Sequence, residues 1–114
     1  MSVRLTVRQV GDVSVLDANG RITLGEGASA FRDQIRELLA KGNNKILVNL
    51  ADVSYIDSSG IGELVSAYTT LANQKGQLKL LHLNKRIKDL LQITKLYTVF
   101  EVMDDEAAGI RSFQ

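Results

Sequence analysis

The stretch Lys45-Ile46-Leu47-Val48-Asn49-Leu50-Ala51-Asp52-Val53-Ser54-Tyr55-Ile56-Asp57-Ser58-Ser59-Gly60-Ile61-Gly62 decides the fold. Its first part, Lys45 to Leu50, is nearly continuously apolar and of strand length, as expected of an inner strand covered on both faces. From Asp57 the period changes: Ile61, Leu64, Val65, Tyr68, Leu71 and Ala72 form one stripe of a helix that Gly76 ends. An apolar strand that runs through a loop into a helix N-terminus is the repeating unit of an α/β domain.

Upstream, Val3, Leu5 and Val7 alternate with Arg4, Thr6 and Arg8, the period of a half-buried strand. Gly11-Asp12 breaks the run and Val13 to Ala18 reads as its hairpin partner. After Asn19-Gly20, Arg21-Ile22-Thr23-Leu24 has the character of a strand end. Ala28, Phe31, Ile35, Leu38 and Leu39 then mark an amphipathic helix closed by Gly42 in a left-handed cap. Downstream, Gln77 to Leu83 reads as a strand. Asn84 caps a helix with Ile87, Leu90 and Leu91 inward, Tyr97 to Val102 reads as a last strand, and Asp104-Asp105-Glu106 opens a final helix. These segments predict a single α/β domain over residues 1–114, with a mixed central sheet of four to five strands, about four helices and right-handed crossovers.

The composition narrows the function. The 114 residues are 45% hydrophobic and 24% charged, with no proline and nine glycines, which suits one globular domain with short connections. Fourteen basic against thirteen acidic residues leave a charge of +1, so no general electrostatic footprint for nucleic acid or an anionic membrane exists. With no cysteine and one histidine, His82, thiol chemistry and multi-histidine metal sites have no ligands, and neither a catalytic residue nor a cofactor is expected. No apolar run approaches the ~20 residues that span a bilayer, and Arg4 arrives before a signal-peptide core forms, so a cytoplasmic location is expected.

Chemistry concentrates where the inner strand meets the second helix. Asp57 or Ser58 can serve as N-cap for the orphaned amides of the first turn, and Glu63 adds negative charge nearby. Gly60 and Gly62 each cost about 1 kcal/mol of helix stability relative to alanine, which implies that a neighbouring strand or a partner protein approaches the backbone there. Ser58 and Ser59 both place hydroxyls near the cap, and the spacing does not rank them.

Asp57-Ser58-Ser59-Gly60-Ile61-Gly62, following Leu47-Val48-Asn49-Leu50 and Val53-Ser54-Tyr55-Ile56, resembles the signature of the STAS domain, and more narrowly that of bacterial anti-sigma factor antagonists. Length, element order and the Leu90-Leu91 to Leu96-Tyr97 segment extend the likeness over nearly the whole chain. The resemblance implies a non-enzymatic regulator. In such a circuit the serine after the aspartate, here Ser58 (with Ser59 the alternative), is phosphorylated by an anti-sigma factor that is also a serine kinase. A serine phosphatase reverses the modification, and any ATP and magnesium belong to the kinase. Unphosphorylated, the antagonist binds the anti-sigma factor and frees the sigma factor; the implied contact surface is Thr23, Asp57, Ser58, Ser59, Gly60, Ile61, Gly62 and Glu63. One phosphate would move the net charge from +1 to about −0.5 to −1.

The chain departs from that family at Gly20-Arg21-Ile22-Thr23, which is basic where an acid is common and hydroxylic where an aspartate is common. Thr23 with Glu26 can form a capping box instead. Other motifs are weaker. Gly25-Glu26-Gly27-Ala28-Ser29-Ala30 matches G-x-G-x-x-A, with Asp52 about twenty residues on, but Glu26 would face a pyrophosphate. Ser58 lacks a G-x-S-x-G elbow, so a triad with His82 is not supported. Lys85, Arg86 and Lys88 are a solvated face or a docking patch for an acidic partner. Tyr55, Tyr68 and Phe31 sit at core or rim positions. The alternative reading is a STAS scaffold or an accessory subunit of a transport or signalling complex, in which Ser58 only caps a helix. A small-ligand or nucleotide-binding module is a third.

Overall fold

Val3–Val10 (β1) and Val13–Ile22 (β2) pair antiparallel with Val10 opposite Val13, the hairpin expected from the Gly11-Asp12 break. In chain order there follow α1 (Glu26–Ala40), β3 (Lys45–Ile56), α2 (Ser58–Asn73), β4 (Gln77–Leu81) and α3 (Lys85–Ile93). A 3-10 turn at Leu96–Thr98, β5 (Val102–Met103) and α4 (Glu106–Arg111) complete the chain. The computed structural model describes residues 3–113. Among these the strands form one sheet in the order β1-β2-β3-β4-β5, with β2 to β5 parallel, and the Cα radius of gyration of the protein is 12.7 Å. A mixed five-stranded sheet with four helices matches the expected class.

Each crossover from β2 to β5 moves one strand along the sheet in the same direction, which puts α1, α2 and α3 on one face. The main core lies there: Phe31, Ile35 and Leu38 of α1, Leu64 and Leu71 of α2 and Ile87 and Leu91 of α3 pack on Leu16, Val48, Leu50 and Leu80 of the sheet. A smaller cluster of Val13, Val15, Leu47, Leu81 and Phe113 lies under α4 on the other face. Apolar residues of Ile46-Leu47-Val48 therefore feed both cores, which is why that strand lacks alternation.

β3 is longer than its apolar run suggests. Asp17 pairs with Asn49 but Asn19 with Asp52, and Gly20 pairs with Val53 but Arg21 with Tyr55, so β3 carries an extra residue at each of two bulges. Side chains satisfy the disturbed ladder: Asn49 accepts from the Ala51 N–H at 3.1 Å, and the Ser54 hydroxyl donates to the Gly20 carbonyl at 3.2 Å. The bulges erase the period of two, so the segment after Leu50 reads as loop from sequence although it is strand to Ile56.

The strand end expected at Arg21-Ile22-Thr23-Leu24 is the tail of β2 as far as Ile22, and Thr23 and Leu24 lie beyond it. Three further expectations are corrected. Tyr97 to Val102 is not a strand: Lys95 turns left-handed at φ 61° and Leu96–Thr98 coils, which seats Phe100 edge-to-face on Tyr68 at 5.6 Å and leaves only Val102–Met103 to pair with β4. β4 ends at Leu81, because His82 adopts φ 58° and leaves the extended region. Thr23 is not the cap of α1. The N-cap of α1 is Gly25, without a side-chain cap bond, and the carbonyls of Thr23 and Gly25 instead accept from Ala28 and Ser29 at 2.9 and 3.0 Å. Gly42 does take the left-handed conformation after α1, at φ 84°.

Candidate functional site

The C-terminal ends of β2 and β3 and the first turn of α2 meet at Asp57. Of the two candidate caps, Asp57 takes the role: Oδ1 accepts from the Gly60 N–H at 3.0 Å and Oδ2 from the Leu24 N–H at 2.9 Å. One carboxylate thus closes a helix and pins the segment leading into α1. The bonds from Leu24 and then Gly60 hold the Asp57 carboxyl below its ordinary range, because both favour the ionised form.

Because Asp57 does the capping, Ser58 is spared it. Ser58 is the first residue of α2, is exposed, and its hydroxyl makes no hydrogen bond among the described residues. Ser59 is half-buried in the same turn. The two hydroxyls that spacing leaves equivalent therefore differ in accessibility. The adjacent amides and the positive end of the helix dipole favour an anion at Ser58.

The two glycines divide the roles that their shared cost suggests. A Cβ on Gly60 would run into the Ile22 carbonyl oxygen and stand 2.5 Å from Ile56 Cγ1, so its bare backbone lets α2 start directly against β2 and β3. Gly62 faces open space and is exposed. Ile61 is buried with Gly60 and supports the surface from beneath, while Glu63 turns toward α1 and pairs with Arg32 at 3.2 Å. Thr23 is half-buried beside Leu24, and Leu24 itself is 79% exposed. Leu24, a strand-end position by its sequence pattern, lies beyond β2, and the Asp57 bond to its N–H holds this apolar residue at the rim.

A third group joins the same end of the sheet. Arg21 is the ladder partner of Tyr55, and its guanidinium lies 5.7 Å from the Tyr55 ring centroid. Arg86 stands 5.6 Å from that centroid. Asn84 sets this up: it caps α3 by accepting from Ile87 at 2.9 Å and donates to the Val53 carbonyl at 2.7 Å, which fixes the start of α3 against β3. Arg21, Tyr55 and Arg86 are separate features in the sequence, and only the parallel pairing of β2 with β3 and the Asn84 bridge join them.

Other candidates do not assemble. No hydrogen bond joins Ser58 to His82, which lies beyond β4 with its N–H bonded to the Met103 carbonyl at 3.0 Å. Among the described residues no group of histidine and carboxylate side chains is placed to hold a metal ion, and no helix is long and apolar enough to cross a membrane.

The fold agrees with comparisons to known proteins. The STAS domain family matches residues 4–109, and the chain belongs to that family. It is 32% identical over 106 residues to a protein of Thermotoga neapolitana named as a candidate anti-sigma factor antagonist, covering 92% of this chain and 93% of that one. It is 28% identical over 111 residues to the anti-sigma-B factor antagonist of Bacillus subtilis, covering 97% and 100%. A crystal structure of a candidate anti-sigma factor antagonist from Thermotoga maritima superposes with a TM-score of 0.89 at 27% identity, over 96% of this chain and 93% of that one.

Proposed function

We propose that this protein is an anti-sigma factor antagonist that works by partner switching. With Ser58 unmodified it binds an anti-sigma factor, which is also a serine kinase, and so frees a sigma factor. Phosphorylation of Ser58 ends that binding, and a serine phosphatase restores it. The observation that carries this reading is the separation of tasks at the cap. Asp57 holds the helix start, while the exposed Ser58 hydroxyl makes no hydrogen bond among the described residues. Phosphate can be added there without breaking a structural bond. It would bring about −1.5 to −2 charge and three acceptor oxygens to a helix N-terminus that tolerates them, so what changes is the surface a partner meets. The names of the relatives support the same reading.

The test is incubation with ATP and each GHKL-type serine kinase of the source genome, followed by intact-mass measurement. One kinase should add a single phosphate, Ser58→Ala should abolish the gain and Ser59→Ala should retain it. The same kinase should bind the unmodified chain and release the modified one. A gain that survives in Ser58→Ala, or no gain with any kinase, overturns the proposal.

A further inference from the structure

We propose that Arg21, Tyr55 and Arg86 form a docking point for a carboxylate-rich segment of the anti-sigma factor; this rests on the function proposed above and specifies its partner's chemistry. Tyr55 is 36% exposed, and both guanidinium groups lie against its ring, at 5.7 and 5.6 Å from the centroid. The ring attracts each cation but neutralises neither. Among the described residues neither arginine has an acidic partner, whereas Arg8, Arg32, Lys45 and Lys79 are each ion-paired. Lys88 on α3 is likewise exposed and makes no ion pair among the described residues; the nearby carboxylate of Asp89 is held by Lys85 at 2.9 Å.

Two uncompensated like charges held around one exposed ring repel each other in the free protein, and a carboxylate between or beside them removes that cost. The guanidinium forks are already positioned by the ring, so bidentate contacts to carboxylates lose little side-chain freedom on binding. The cluster is also continuous with the proposed interface. Arg21 directly precedes Ile22, whose carbonyl accepts from the Asp57 N–H at 3.4 Å, and the exposed Leu24 follows. A phosphate on Ser58 would set negative charge at this same end of the sheet, where an acidic segment would meet it as repulsion.

Two measurements on the full chain test the inference. In the first, hexaglutamate is titrated while NMR follows the arginine side chains and the Tyr55 ring. Salt-sensitive shifts confined to Arg21, Tyr55 and Arg86 support the assignment. No shifts, shifts spread evenly over the surface cations, or equal shifts with inorganic phosphate overturn it. In the second, the kinase that phosphorylates Ser58 is the probe. Arg21→Glu and Arg86→Glu should each weaken binding about ten-fold or more, chiefly through association rate, with Arg→Lys versions closer to wild type and Lys75→Glu at the opposite end of the sheet unchanged. Wild-type affinity in both glutamate variants, with their folds intact by circular dichroism, overturns this inference and leaves the proposed function standing. If no kinase binds the wild type, the proposed function fails, and the peptide titration still decides whether the cluster takes carboxylates.

Discussion

Asp57 Oδ2 accepts the Leu24 backbone N–H at 2.9 Å, so the cap of α2 also anchors the chain where it leaves β2 for α1. Two segments far apart in sequence share one carboxylate, and both bonds favour its ionised form. Asp57→Ala should therefore lower stability at neutral pH. The folded pKa of Asp57 is depressed, so its contribution is present above the ordinary carboxylate pKa of about 3.9 and is lost as pH falls through the lower folded value. Urea unfolding from pH 7 downward should show the gap between wild type and Asp57→Ala closing below about pH 4. A gap that stays constant to pH 3 would count against the ionised cap.

Gly60 and Gly62 should respond in opposite senses to alanine. At Gly60 the new methyl meets the Ile22 carbonyl and Ile56, a backbone-limited site, and overpacking should cost about 1–3 kcal/mol. At Gly62 nothing lies within 4 Å, so alanine should stabilise by about 0.5–1 kcal/mol through helix propensity. Denaturant midpoints at matched slopes read both directly.

Replacing Ser58 by aspartate should leave the fold intact, because the change falls at an exposed first helical position where negative charge is favoured. The unfolding free energy should stay within about 0.5 kcal/mol of wild type. Far-ultraviolet circular dichroism and amide exchange make the comparison; broad loss of protection would show that the modification acts by unfolding rather than at the surface.

Lys79 fastens α4. Only 6% exposed, its ammonium donates to the Ser112 carbonyl and hydroxyl at 2.8 and 2.9 Å and to Glu101 at 3.2 Å, and it lies 4.8 Å from the centre of the Phe113 ring. Lys79→Met keeps much of the volume but leaves those acceptors unpaired, which should cost about 1–3 kcal/mol. Amide exchange should rise first in residues 106–113, and uniform exchange across the sheet would contradict this local role.

Much of this was readable before any coordinates. The unbroken apolar character of Lys45 to Leu50 signals a strand with cores on both faces, and the cap at Asn84 follows from a short polar side chain ahead of a helical stripe, whereas the choice of Asp57 over Ser58 and of Asp105 within its acidic run rests on the folded geometry. Tyr97 to Val102 misled because its alternation comes from packing Phe100 against Tyr68 around a 3-10 turn, not from a ladder. The long tail of β3 was hidden because bulges at Ala51 and Ser54 break the period on which strand reading depends.

The sequence by itself determined the α/β class, the order of elements and the position of the serine pair at a helix start, since these rest on local periodicity and capping. Only the tertiary structure set the two serines apart in exposure, by giving the cap to Asp57 and burying part of Ser59, and the two glycines apart in packing, by setting Gly60 against Ile22. It alone brought Arg21, Tyr55 and Arg86 together. The reason is the same in each case: accessibility and charge clustering depend on which strands lie side by side, and parallel pairing joins residues that no short-range pattern connects.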